Sequence, residues 1–240
     1  MSAAERSILF RCRDAARTYG RGTSAVVAVH LLSCVVRAGD LIAITGTSGS
    51  GKTTVLHLLA GLDRPTTGDL RWPGLGGDPA GSPGSVGVVF QGPSLLPALD
   101  VTENVALPLL LAGESAAAAT ARAREALEQL DLAGLAAKLP EELSGGQSQR
   151  VAVARVVASK PQLILADEPT GQLDAVHCDQ VVRVLIDAAH RLGAALVVAT
   201  HDPLVADRLR IRWRIRDGRL TTEDNGRGAQ VPARRAEGSC

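Results

Sequence analysis

Short aliphatic runs with no polar alternation recur along this chain, and each ends in a glycine, an acid or a small polar residue. Leu41-Ile42-Ala43-Ile44 runs into Gly46, Leu163-Ile164-Leu165-Ala166 into Asp167-Glu168, and Ala195-Leu196-Val197-Val198-Ala199 into Thr200-His201. Such runs predict strands buried on both faces, as in a parallel sheet between helices. Val86-Gly87-Val88-Val89-Phe90 is another short strand, ending at Gln91. Helical periodicity predicts helices over Val55–Ala60, over an Ala-rich segment from Glu114 to Leu130, from about Gly145 to Ser159, and over Val181–Leu192. Arg122, Arg124, Glu125 and Glu128 mark the polar side of the Ala-rich helix.

Ahead of the first buried run the pattern changes. Ser7–Arg13 and Ala25–Val36 are β-rich, with a turn over Thr18–Gly22 between them, and predict an antiparallel β region. Asp63–Gly68 reads as a helix stop and turn. Residues 71–85 are dense in Gly, Pro and Ser and predict a mobile surface loop. Residues 93–160 look like a helical subdomain inserted into the α/β core, its first part combining leucines with Pro93, Pro97 and Pro108. Ile211–Leu220 reads as a closing hairpin around Asp217-Gly218. From Thr221 the chain is polar and aperiodic, and a disordered tail over 221–240 is expected. No internal repeat is found.

Composition narrows the class. The 240 residues suffice for one large α/β domain or two small ones, and 45% hydrophobic content supports a sizeable core. A formal charge of +1 gives no general pull toward nucleic acid. Aromatics are scarce (Phe10, Tyr19, Trp72, Phe90 and Trp213), so the core must be aliphatic. Cys12, Cys34, Cys178 and Cys240 are scattered, which fits reduced thiols in a cytosolic setting. His177-Cys178 has the wrong spacing for ordinary metal binding. No signal peptide and no run long enough to span a bilayer are evident, so the chain is expected to be soluble or to reach a membrane through a partner.

The strongest chemical signal is Gly46-Thr47-Ser48-Gly49-Ser50-Gly51-Lys52-Thr53, between a buried strand and a helix. This is the context a phosphate-binding P-loop needs. Its glycines permit a tight turn, successive N–H groups converge on anionic oxygens, and the helix N-terminus adds its dipole. Lys52 supplies a cation for the β/γ-phosphates and the Thr53 hydroxyl can ligate Mg²⁺. The loop alone leaves kinase, GTPase, ATPase and helicase open. Asp167 and Glu168 narrow the field to ATP hydrolysis: the first can reach Mg²⁺ beside Thr53, and the second points elsewhere and can accept a proton from an attacking water. Ser144-Gly145-Gly146 opens a helix whose free N–H groups face outward, with Ser144 as cap or phosphate donor. Tyr19 could stack on a base or simply be a surface residue. His30, His57 and His190 fit packing or surface roles. Arg208, Arg210, Arg212, Arg214, Arg216 and Arg219 alternate as on one solvated hairpin face.

Leu143-Ser144-Gly145-Gly146-Gln147-Ser148-Gln149-Arg150 resembles the signature motif of ABC ATPases. With it, residues 5–220 resemble an ABC transporter ATP-binding subunit. The fold so implied is α/β: a P-loop core with a mostly parallel sheet, an antiparallel β subdomain and a helical signature subdomain over about 92–160, all in one domain spanning 1–220. The resemblance assigns Gly46–Thr53, with Thr54 beside it, to Walker A. It assigns Leu163–Glu168 to Walker B, with Asp167 on Mg²⁺ and Glu168 as base. Gln91 resembles the Q-loop glutamine, a Mg²⁺ and water contact that senses the membrane partner. Gly171-Gln172-Leu173-Asp174 resembles the D-loop, His201 the switch histidine, and Tyr19 the adenine-stacking residue. Ser144, Gly145, Gly146 and Gln147 would contact ATP across a head-to-tail homodimer.

ATP and Mg²⁺, an integral-membrane permease, a homodimer through an ATP sandwich, and a peripheral place on the inner face of the cell membrane are what this likeness implies. Leu95-Leu96-Pro97 and Val101–Leu109 are most similar to the lipoprotein-release, macrolide and antimicrobial-peptide export branch. Ser148, Gln172 and the 73–85 loop depart from the family pattern. The rival readings are a DNA- or ribosome-associated ABC ATPase and a binding module that has lost hydrolysis. The absence of coiled-coil insertions and of a second cassette weighs against the first, and intact Lys52, Asp167, Glu168 and His201 against the second.

Overall fold

The aliphatic runs form the middle of a six-stranded sheet. In the computed structural model, which describes residues 8–81, 84–92, 94–171 and 175–224, six strands lie side by side in the order β5 (Val86–Val89), β6 (Leu163–Asp167), β7 (Ala195–Thr200), β3 (Leu41–Thr45), β8 (Ile211–Arg216), β9 (Arg219–Asp224). Every neighbouring pair is parallel except the β8–β9 hairpin. The runs lack polar alternation because both faces are covered. Ile42, Ile44, Leu163, Leu165 and Val197 face one core, which holds helix α1 (Lys52–Leu59). Ala43, Ile164, Ala166, Leu196 and Val198 face the other, against α4 (Gly145–Ala158) and α5 (Ala175–Leu192). Successive side chains alternate between faces, so a strand buried on both must be apolar throughout. No helix among the described residues is long and apolar enough to cross a membrane.

The expected antiparallel region is a three-stranded sheet in the order β2 (Val26–Arg37), β1 (Ile8–Tyr19), β4 (Thr67–Arg71). Two expectations are corrected here. β1 continues through Thr18 and Tyr19, where a turn was expected, because Thr18 and Tyr19 pair with Val27 and Val26. Bulges around Asp14, whose φ is +47°, let the long strand stay in register. β4 forms where only a turn was expected, and Gly68 is what allows it: a Cβ there would lie 2.4 Å from the Asp14 carbonyl oxygen. Pairing also brings together two cysteines that sequence spacing separates. Cys12 and Cys34 face each other as free thiols with their sulfurs 4.0 Å apart, and the hydrogen bond between them pushes the Cys34 thiol well above its usual range.

The Gly/Pro-rich 71–85 segment is also corrected. Where described, it is docked rather than loose. Trp72 is buried, packs on Phe10 with ring centroids 5.5 Å apart, and donates its indole N–H to the Leu59 carbonyl at 2.8 Å. It thereby satisfies one of the open carbonyls at the end of α1. Leu75 is buried beside it, and Asp78 pairs with Arg64.

The helical subdomain holds α2 (Val101–Leu111), α3 (Ala116–Gln129) and α4. α2 was hidden from the periodicity by Pro108 within it. Its start is fixed by a capping box: Asp100 accepts from the Glu103 N–H while Glu103 accepts from the Asp100 N–H. Asn104 is fully buried, accepts from the Leu96 N–H at 2.7 Å and donates to the Leu96, Leu99 and Asp100 carbonyls. It holds the loop before α2 closed. At the other end of the chain, Thr221 and Thr222 pair with Arg214 and Trp213 in β9, so four residues assigned to the tail on composition extend the sheet instead. Residues 225–240 lie outside the described residues, as do Gln172, Leu173 and Asp174.

Asn104→Ala leaves several buried loop groups without partners, each costly to desolvate. The expected loss is roughly 2–3 kcal/mol of unfolding free energy, read from urea denaturation; a loss near zero would show that the loop closes without it.

Candidate functional site

Parallel pairing sets the site. Thr45 pairs with Thr200 and Asp167 with Ala199, so β3, β6 and β7 end at one level. The next residues, Gly46, Glu168 and His201, therefore meet at one edge, where ligands bind in open α/β sheets.

After β3 the chain enters the Gly46–Gly51 loop. A Cβ on Gly46 would lie 2.4 Å from the Ile215 carbonyl oxygen, and one on Gly51 would lie 2.3 Å from that of Ala28. Both also have positive φ, so only glycine fits. Gly51 precedes α1 with no side-chain cap, which leaves the helix's first N–H groups free to face an anion. Lys52 is 7% exposed, and its ammonium donates to the Gly46 and Thr47 carbonyls at 3.0 and 3.2 Å. It also lies 3.4 Å from a Glu168 carboxylate oxygen. The other Glu168 oxygen is 2.8 Å from His201 Nδ1. A carboxylate accepts, so the ring proton sits on Nδ1. Glu168 takes a left-handed φ of +44°, uncommon for a side chain of this type, and its N–H donates to the Ala199 carbonyl at 2.9 Å. Strain of this kind collects at functional positions.

Thr47, Ser48, Gly49, Gly51, Lys52, Thr53, Thr54, Gln91, Asp167, Glu168 and His201 line one cleft of about 570 Å³. Ala28 lines it too; an alanine offers no chemistry, and no sequence signal could have marked it. Asp167 Oδ1 is buried there without a hydrogen-bond partner, as is the Ser50 hydroxyl of the loop. Among the described residues no group of three or more His, Cys, Asp or Glu forms a metal cage. Mg²⁺ keeps waters and takes substrate phosphates with one or two protein ligands. The orphaned Asp167 oxygen, in the same cleft as Thr53, fits such an ion.

Gly46 and Ser50 belong to the loop without lining the cleft, and two further predicted groups lie outside the lining. Ser144, Gly145, Gly146 and Gln147 form the start of α4 and none of them reaches the cleft. Ser144 and Gly145 are exposed and Gly146 is buried. Ser144 Oγ accepts from the Gln147 N–H, and the Gln147 side chain accepts from the Ser144 N–H at 2.9 Å, so this turn is pre-formed by its own capping box. α4 is tied back to the cleft: Gln149 donates to the Phe90 carbonyl, next to Gln91, and Arg155 donates to Ser94. Tyr19 is the other outlier. It is 39% exposed, and its hydroxyl donates to Asp63 at 2.7 Å while the Arg17 guanidinium lies over its ring.

A family profile described as ABC transporter matches residues 29–171. Among solved structures, the dimeric post-hydrolysis state of the ATP-binding cassette MJ0796 bound to ADP and Pi is similar at a TM-score of 0.82 and 32% identity, over 92% of this chain and 100% of that one. A further dimeric structure of MJ0796, described as a bacterial ABC transporter cassette, matches at 0.81 and 33% over the same shares. cbiO1 from Clostridium perfringens, part of the ABC transporter complex cbiONQ, matches at 0.79 and 25%, over 91% and 89% of the two chains. Cleft, fold and profile agree: this chain belongs to the ABC transporter family, as one of its ATP-binding, ATP-hydrolysing cassettes.

Proposed function

We propose that this cassette powers a separate membrane permease, that of an exporter, by closing with a second copy of itself around two ATP molecules. One observation carries the dimer reading. The exposed, pre-capped Ser144-Gly145 turn is absent from the lining of its own chain's cleft. Free N–H groups at that turn suit an anion, and the cleft of a second copy would supply one. The dimeric state of the MJ0796 cassettes and the place of cbiO1 in a transporter complex support the same reading.

Each residue then has a task. The loop N–H groups of Thr47–Thr54 and the Lys52 ammonium hold the β- and γ-phosphates. Asp167, the Thr53 hydroxyl and Gln91 are the residues that would hold Mg²⁺, which when bound neutralises charge on the phosphates. Glu168 accepts the proton of the attacking water. His201, 2.8 Å from its carboxylate, fixes the direction of that carboxylate. Gln91 joins cleft to surface: Phe90 beside it in the chain, and Leu96, Leu110 and Leu111 in the segment that follows, are exposed, Leu111 at 79%. Exposed apolar side chains along this Pro-punctuated segment suit a permease contact. The hydrogen bonds from Gln149 and Arg155 give such a contact a route to the Ser144 turn.

Five substitutions separate the roles. Glu168→Gln is expected to bind Mg-ATP normally and lose about 10²–10⁴-fold in turnover, the worth of a positioned base; near-wild-type turnover would remove Glu168 from that role. Asp167→Asn is expected to raise the Mg²⁺ requirement, and Lys52→Ala to lose ATP affinity, both read by titration. Ser144→Arg is expected to abolish ATP-dependent dimers in light scattering while one copy still binds ATP. Leu111→Asp is expected to uncouple transport in vesicles that hold the permease and leave basal ATPase intact; unchanged transport would move the docking surface elsewhere.

A further inference from the structure

Tyr19 closes β1 beside the cleft. Its register partner is Val26, two residues from the cleft-lining Ala28. Both faces and the hydroxyl of a ring must be accounted for before it can serve as a platform. The Arg17 guanidinium carbon is 4.6 Å from the ring centroid, so one face is taken by a cation and a flat base can meet only the other. Asp63 takes the hydroxyl: its Oδ2 accepts from Tyr19 at 2.7 Å and from Arg17 Nε at 2.9 Å, while its Oδ1 lies 2.8 Å from a terminal Arg17 nitrogen. One carboxylate thus grips both the ring's hydroxyl and the two-pronged cation behind it.

Asp63 is itself tied to the phosphate-binding helix. Its N–H donates to the His57 carbonyl in α1 at 3.3 Å, and its other carboxylate contact is the Arg64 N–H at 2.7 Å. Nearby, the Thr66 N–H donates to the Ala16 carbonyl and the Thr18 N–H to the Thr66 hydroxyl, which staple β1 to the segment after α1. The helix whose first turn cradles phosphate therefore sets, from its other end, the position of the ring.

We propose that Asp63, with Arg17, is a positioning unit that holds Tyr19 ready to stack on the adenine base. The inference rests on the reading of Tyr19 as that platform and adds residues to which the sequence assigned no part beyond a turn. The physics is preorganisation. An untethered tyrosine pays to be immobilised when the base arrives; a ring already fixed at its hydroxyl and backed on one face does not. The cation behind the ring adds an electrostatic hold on it. Burial pushes the Asp63 carboxyl up, but the Tyr19 hydroxyl, the Arg64 N–H and Arg17 outweigh it and hold it below the usual carboxylate range, so it is charged at neutral pH.

The test compares Mg-ATP with inorganic tripolyphosphate, which has the phosphates and no base, by calorimetric titration of the full chain. Tyr19→Ala is expected to weaken ATP by about tenfold, the scale of one base–aromatic stack, and to leave tripolyphosphate unchanged. Asp63→Asn and Tyr19→Phe are each expected to weaken ATP by roughly three- to tenfold, part of that stack, with tripolyphosphate unchanged. KM should rise while kcat at saturating ATP holds. Tyr19→Phe keeps the Asp63–Arg17 pair, so it answers even if Asp63→Asn folds poorly. If Tyr19→Ala has no effect on ATP, the platform reading fails and the inference with it. If Tyr19→Ala weakens ATP but neither Tyr19→Phe nor Asp63→Asn does, the platform stands and the positioning unit is overturned. Equal losses for ATP and tripolyphosphate in Asp63→Asn would also overturn it, by showing that Asp63 only supports α1.

Discussion

The in-register parallel pairing of β6, β7 and β3 is the constraint on which the site depends. Because Asp167 lies opposite Ala199 and Thr45 opposite Thr200, the three chains leave the sheet together. A slip of one residue would turn every side chain to the other face, exchange the two cores and swing Asp167 and Glu168 apart from the loop. Burial on both faces resists that slip, since apolar side chains such as Ile42, Ile164 and Val198 have filled places on their own side. The register is therefore held by packing far from the chemistry, and the chemistry inherits its geometry. Glu168 shows the cost of this arrangement: its backbone is forced left-handed so that one residue can take a β7 carbonyl with its N–H and still send its carboxylate between Lys52 and His201.

Much of this was legible in the sequence, because the features involved are local and periodic. Unbroken aliphatic runs carry the strand assignment, glycines at fixed spacing carry the loop, and two acids at the end of a buried strand mark where that strand reaches the cleft. The cleft then collects nearly every residue those rules select. Ser144 is a different case. Its capping box is visible in Ser-Gly-Gly-Gln, yet its distance from the cleft of its own chain is a property of the whole fold, which local spacing cannot express.

What was not legible depends on contacts between distant segments. Trp72 sits in a stretch whose composition says loop, but one indole N–H that finds the Leu59 carbonyl and one ring that finds Phe10 are enough to dock it. Asn104 reads as an ordinary polar position until its burial and its four loop contacts are seen. The helix it belongs to is masked by Pro108. Cys12 and Cys34 become neighbours only through strand register. Thr18 and Tyr19 looked like a turn because polar and glycine neighbours follow them, while their β pairing is decided by β2.

The central claim is that the ATP held by one copy's loop is covered by the Ser144 turn of a second copy. A photoreactive group on the γ-phosphate of ATP tests it directly. Tagged Lys52→Ala chains, unable to hold the nucleotide themselves, are mixed with unmodified chains and irradiated. The account predicts that the label appears on the tagged chains, in the peptide that carries Ser144–Gln147. Label confined to the unmodified chains, with none on tagged chains present in the same dimers, would contradict it.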